Sequence, residues 1–176
     1  MKTAMGMFGA LMLALAITGV AFAHWTDTLV INGTVNTGTF GAELSVGEGY
    51  DNEPPDKNVS YISGTLGDDK KSITVTVNNA YPCIDYWLPI DLHCVGSVPL
   101  IIESIVVDRG NLPEDTTLEI VADPAHPGEN VIAEGTQLHR GQTAYGRLHL
   151  HLGENAAQGQ TYTFTVTINV VQWNYA

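Results

Sequence analysis

The sequence predicts an all-β fold: a two-sheet antiparallel, jelly-roll-like sandwich. Three observations carry this. After residue 23, apolar and polar residues alternate with the period of two that marks half-buried strands. The same region contains no stretch with the period of an amphipathic helix. Thr, Val, Gly and Asn are plentiful and only 15% of residues are charged. That composition suits an extracellular β-protein better than a metabolic enzyme.

Residues 1–23 come first and read differently. Lys2 gives a positive start, Phe8 to Ala16 an unbroken apolar run, and Ala21-Phe22-Ala23 a small-x-small triplet, with no acid before Asp27. This is the pattern of a secretory signal peptide cut between Ala23 and His24. The competing reading is an uncleaved anchor, since Met5 to Ala23 is just long enough to span a bilayer. Its glycines, its threonine and the triplet favour removal. A prepilin-type leader does not fit, because polar β-sequence rather than an apolar helix follows the cut. The expected location is outside the cell, as a secreted filament or at the cell surface, with only transient membrane contact through the leader.

The mature chain, 24–176, has the length of one domain, and no repeat or linker divides it. The full chain carries a net charge of −12; without Lys2, six basic residues face 19 acidic ones, near −13. Such a surface disfavours nucleic acid and anionic lipid as direct partners.

In the first segment, 24–35, Trp25, Leu29, Ile31 and Val35 share one face, interrupted by Asp27 and Gly33. Either this strand belongs to its own sandwich, or it completes the sheet of a neighbour through main-chain bonds and side-chain pockets. Repeated head to tail, the second arrangement makes a filament. Phe40, Ala42, Leu44 and Val46 mark the next strand, and Gly47 to Asn58 an exposed loop. Strands follow around Tyr61, Ser63 and Thr65, then at Ile73, Val75 and Val77, and from Asp85 to about His93. Leu100 to Val107 is apolar on both faces, as a central strand would be. Leu148, Leu150 and Leu152 oppose Arg147, His149 and His151. The last strand sets Tyr162, Phe164, Val166, Ile168 and Val170 against four threonines.

In a secreted chain, Cys83 and Cys94 are expected to form a disulfide. A straight strand between them would hold them about 35 Å apart at ~3.3 Å per residue. The chain must therefore fold back near Pro89, or the cysteines bridge subunits, or they stay reduced. Asn58-Val59-Ser60 and Asn32-Gly33-Thr34 are glycosylation sequons; Asn58 beside the loop is the better acceptor, and Asn32 lies in the N-terminal strand. His149 and His151 have a permissible ligand spacing, but the polar side of a Leu-in strand accounts for both. No EF-hand pattern accompanies the acids at 51–56 and 68–69. There is no His-Glu-x-x-His or Gly-x-Ser-x-Gly motif. The reading is therefore no metal, no cofactor and no catalytic residue: a non-enzyme. Tyr50, Tyr61, Tyr86, Trp87, Trp173 and Tyr175 are the candidates for lateral contacts.

The junction Ala21 to Leu44, AFAHWTDTLVINGTVNTGTFGAEL, resembles the start of the TasA/camelysin group. Trp25-Thr26-Asp27 matches that group's aromatic-Thr-Asp element, and Gly38-Thr39-Phe40 its Gly-Thr-hydrophobic strand. Tyr81-Pro82 and Gly96-Ser97-Val98-Pro99 match a later Tyr-Pro-Gly turn and Asn-x-Gly-Ser segment. Cys83 and Cys94 stand where Gly and Asn are expected. The resemblance spans residues 15–107, with the final strand more loosely. It implies a secreted jelly-roll subunit of biofilm fibres, closest in type to archaeal bundling pilins joined by donor-strand complementation. The partners it implies are other copies of the chain, through a donor at 24–35, and neighbouring filaments laterally. The alternative functions are a monomeric adhesin or surface accessory domain and, less favoured, a camelysin-like metalloprotease.

Overall fold

The computed structural model describes residues 6–7, 9–12 and 37–175. Residues 6–7 and 9–12 are helical. Among the described residues no helix is long and apolar enough to cross a membrane. The chain divides into two compact units, Met1–Asn36 and Thr37–Ala176, and the second is an all-β sandwich. Ala23, His24, Trp25, Asp27, Leu29, Ile31, Asn32 and Val35 lie outside the described residues.

The strands are β1 (Ala42–Val46), β2 (Tyr50–Asp51), β3 (Tyr61–Leu66), β4 (Ser72–Ala80), β5 (Asp85–Cys94), β6 (Leu100–Asp108), β7 (Thr117–Val121), β8 (Asn130–Val131), β9 (Gln137–Leu138), β10 (Thr143–His151) and β11 (Gln160–Gln172). Sheet A runs β1-β5-β10-β7, with β2 also on β5 and β8 also on β10; sheet B runs β3-β4-β11-β6-β9. The pairing is antiparallel, as expected, except that β8 runs parallel to β10 over two residues.

Alternation explains the layers. In β5, Tyr86, Leu88, Ile90, Leu92 and Cys94 are buried while the residues between them face outward. Ile73, Val75 and Val77 of β4 and Tyr162, Phe164, Val166 and Ile168 of β11 meet them from the other sheet. Each such side chain contributes roughly 1.5–3 kcal/mol when fully buried. A one-residue slip would turn every one of them to solvent, so the register is fixed by the core. In β6 the alternation changes phase at a bulge, where Glu103 has no partner between the pairs Ile102–Val170 and Ser104–Asn169; Leu100 and Ile102 face inward before it, Ile105 and Val107 after it.

Pro89 lies within β5, where a missing N–H normally breaks a ladder. Its carbonyl accepts from Gly47 N–H at 2.9 Å, at the gap between β1 and β2 on that side. The proline falls where the neighbouring strand is interrupted, so β5 runs straight through it. That overturns the intrachain disulfide. Cys94 ends this straight strand and Cys83 lies two residues before it; the strand alone spans about 30 Å at ~3.3 Å per residue, and both thiols are free. Cys94 is fully buried and out of reach of another subunit; Cys83 is exposed.

Other expectations are corrected in detail. Phe40 precedes β1 and is exposed. The segment 47–58 is not wholly exposed: Tyr50–Asp51 pair with β5, and Glu53 is buried. Tyr86 is sealed in the core and can make no lateral contact. β6 lies between β11 and β9, as an interior strand should, but β9 covers only Leu100 and Ile101, and among the described residues no strand pairs with the rest of that edge.

Candidate functional site

The ending of β9 leaves one flank of the sandwich open. β6 turns Ile105 and Val107 inward, and β7 on the facing edge of sheet A turns Leu118 and Ile120 toward them. With Ile132 and Ala133 from the β8–β9 crossover, they line a groove of about 290 Å³. Gly146 of β10 makes room for its wall: a Cβ there would lie 3.1 Å from both Ile120 and Ile132. The four strand residues that face the groove are only partly buried. They hold part of their apolar surface at the edge of the core without covering it.

The main chain at this flank is also unfilled. Ile102 N–H donates to Thr136 O at 3.0 Å, and Gly135 N–H donates to Ile102 O at 2.8 Å. Beyond that point, among the described residues, no strand pairs with the outer edge of β6. Ile105 N–H instead donates to the Glu134 side chain, Oε1, at 3.2 Å. Alternation turns the Val107 N–H and carbonyl to the same edge. The outer face of β6 adds Val106, 51% exposed.

The outward face of sheet A carries a second concentration of chemistry. Register places Tyr50, Trp87, His149 and Glu119 in one row across β2, β5, β10 and β7. Tyr50 stacks on Trp87 with ring centroids 5.5 Å apart, and Trp87 on His149 at 5.3 Å. The Arg147 guanidinium lies 5.8 Å from both aromatic centroids and donates to the Tyr50 hydroxyl. His149 Nε2 and His151 Nδ1 each lie 2.9 Å from Asp85 Oδ1, and His149 Nδ1 lies 3.2 Å from Glu119 Oε1. An imidazole with a carboxylate on both nitrogens is best served as a cation that donates twice. Burial pulls the His149 pKa down, but Asp85 and Glu119 outweigh it and hold it above the ordinary value. Burial likewise pushes Asp85 up, and its bonds from His149 and His151 bring it below the ordinary carboxylate value.

A buried polar cluster anchors the 47–58 loop. Glu53 accepts from Val59 N–H at 2.6 Å and from the Ser60 hydroxyl, whose oxygen lies 2.8 Å from the Tyr86 hydroxyl. Burial raises the Glu53 pKa, yet hydrogen bonds from Ser60, Tyr81 and the backbone overcome it and hold the carboxyl low. Burial and this carboxylate together push the Tyr81 phenol up to about 12. With both of its oxygens engaged, this carboxylate serves as a structural tie.

The remaining sequence-predicted residues scatter. Asn58 is exposed, but the hydroxyl residue of its sequon, Ser60, is buried in the cluster just described. His149 and His151 are brought together around Asp85; among the described residues no group of three His, Cys, Asp or Glu is arranged to hold a metal ion. Sequence reasoning missed the groove. Its signal was the doubly apolar run from Leu100 to Val107, taken for a central strand. Compared with known proteins, the chain matches no family model, no curated protein and no solved structure.

Proposed function

We propose that this chain is a structural subunit of an extracellular filament or pilus. It polymerises when residues 24–35 of one copy enter the open flank of the next. The observation that carries the reading is β6: an apolar strand whose edge beyond Ile102 has no strand partner among the described residues, beside an apolar groove. Such an edge is a template for strand pairing and an aggregation hazard if left uncovered. An added strand satisfies its N–H and C=O groups and fills the groove with alternate side chains. The segment 24–35 has that form, with Leu29 and Ile31 spaced two apart like Leu118 and Ile120. The contact joins unlike surfaces, so it propagates head to tail.

Two further features support the TasA/camelysin-like reading. Cys83 adopts a left-handed conformation, φ 61°, where that group carries the glycine that such a turn favours. From β4 onward the chain repeatedly crosses between sheets, the connectivity expected of a jelly-roll-like sandwich. On this reading the chain is exported by its leader and serves adhesion, bundling and biofilm matrix rather than catalysis. Deleting residues 24–35 behind an intact leader and cleavage triplet is the test, read by negative-stain microscopy of shed material. Loss of filaments with monomer still exported is the expected result. Filaments of unchanged diameter and yield would sink the donor reading, and compact monomers from the unaltered chain would favour the adhesin.

A further inference from the structure

The β8–β9 crossover behaves as a partner of β6 for part of its length and then leaves. Its last main-chain bonds to β6 are at Ile102. It turns away at Gly135, whose φ of +83° is easy only for glycine. The next outward N–H on β6, that of Ile105, is met by the Glu134 side chain instead. A carboxylate oxygen thus stands where the carbonyl of an added strand would stand. Glu134 is exposed and also lines the groove.

We propose that Glu134 is a removable cap on the acceptor edge, displaced when a main-chain carbonyl from residues 24–35 of a second copy takes over the Ile105 N–H. The inference rests on the filament reading and deepens it by naming the rung where pairing begins. The chemistry favours exchange. An exposed carboxylate gives up one hydrogen bond and returns to water, while the incoming strand gains a main-chain rung with its apolar side chains covered. The occupant is argued from this chain: residues 24–35 lie outside the compact unit that begins at Thr37. They also supply apolar residues at alternate positions for a groove walled by Ile105, Val107, Leu118 and Ile120. Until that strand arrives, the cap keeps the Ile105 N–H of an apolar edge from pairing with a wrong partner, as edge charges do elsewhere.

The test compares the full chain with Glu134→Ala and Glu134→Gln, each held monomeric by dilution, through amide hydrogen exchange at Ile105. Gln keeps an acceptor oxygen and loses the charge; Ala loses both. The expected result is exchange on the order of tenfold faster at Ile105 in Glu134→Ala, with Glu134→Gln near the unaltered chain. Equal exchange in all three overturns the cap. Equal acceleration in both variants overturns it too, because charge alone would then be at work. A synthetic peptide of residues 24–35 is then added. Slowed exchange at Ile105 and Val107, reached at lower peptide concentration in Glu134→Ala, supports the exchange of partners. No effect of the peptide on either amide in any form overturns the occupant. If the unaltered chain also forms no filaments on concentration, the filament reading falls with it, whereas filaments without a peptide effect at these amides place the donor elsewhere.

Discussion

The two flanks of the sandwich are built to different ends. Where β1 and β3 meet, the sheets are drawn together. Leu44 N–H donates to Lys70 O across the gap at 2.9 Å, and Gly64 has no side chain to hold Val46, Leu88 and Ile73 apart. Where β6 and β7 face each other, no such main-chain bond joins the edges among the described residues, and half-buried apolar side chains line a groove. Among the described residues both flanks expose strand edges, and the second sets an edge without a strand partner beside an apolar groove. A closed flank gives stability to the single molecule, and an open one holds binding surface in reserve for a partner.

That contrast can be broken most forcefully from the closed side. In Gly64→Val, the first added carbon would lie 2.8 Å from Val46 Cγ1 and 2.9 Å from Leu88 Cδ2. Overpacking there is expected to cost about 3 kcal/mol, read as a lower urea midpoint. On the open flank, Leu118→Ala should cost the monomer only roughly 1 kcal/mol because Leu118 is half-buried. Filament yield should nevertheless collapse. Similar stability losses for the two variants would erase the distinction between the flanks.

The pH dependence tests how firmly β7, a wall of the open flank, is tied to its own sheet. The folded-state pKa of His149 is raised. Its contribution is therefore complete below the unfolded value of about 6.5 and is lost as pH rises through the folded value. Asp85 is shifted down, so its contribution is present above about 3.9 and fails as pH falls through the lower folded value. The stability gap between the unaltered chain and His149→Gln should be widest between about pH 4 and pH 6.5 and shrink above it. A gap independent of pH in unfolding titrations would remove charge from the account. Smallest is Glu43→Gln, which breaks the exposed Lys70–Glu43 pair at the closed flank. It should shift stability by less than about 0.5 kcal/mol, measured by thermal melting in low and high salt.

Much of the fold was legible in the sequence because period-two burial is a local property. Leu44 of β1, Ile73, Val75 and Val77 of β4, Leu148 and Leu150 of β10 and the inward face of β11 followed from alternation alone, whereas β5 was placed without its inward face. Sheet neighbours were not, since β1 pairs with β5 and β4 with β11 through contacts distant in the chain. That is why Leu100 to Val107 looked central: two apolar faces report nothing about which edge is paired. The short β7, with apolar residues only at Leu118, Ile120 and Val121, left too weak a pattern to place a groove wall. The row Tyr50–Trp87–His149–Glu119 was equally hidden, because it is assembled across four strands. The disulfide expectation followed from compartment and cysteine count, and the straightness of β5 overrode it.

The position of β11 has a consequence for timing. Of the described strands it is made last, yet it lies between β4 and β6 and carries Phe164, Val166 and Ile168 into the core. Until it is present, β3–β4 and β6–β9 share no common strand, and their apolar faces have nothing to close upon. Pairings this distant are slow to form and come late. A partly synthesised copy therefore has no backed β6 to offer, and nascent chains are poor competitors for finished ones.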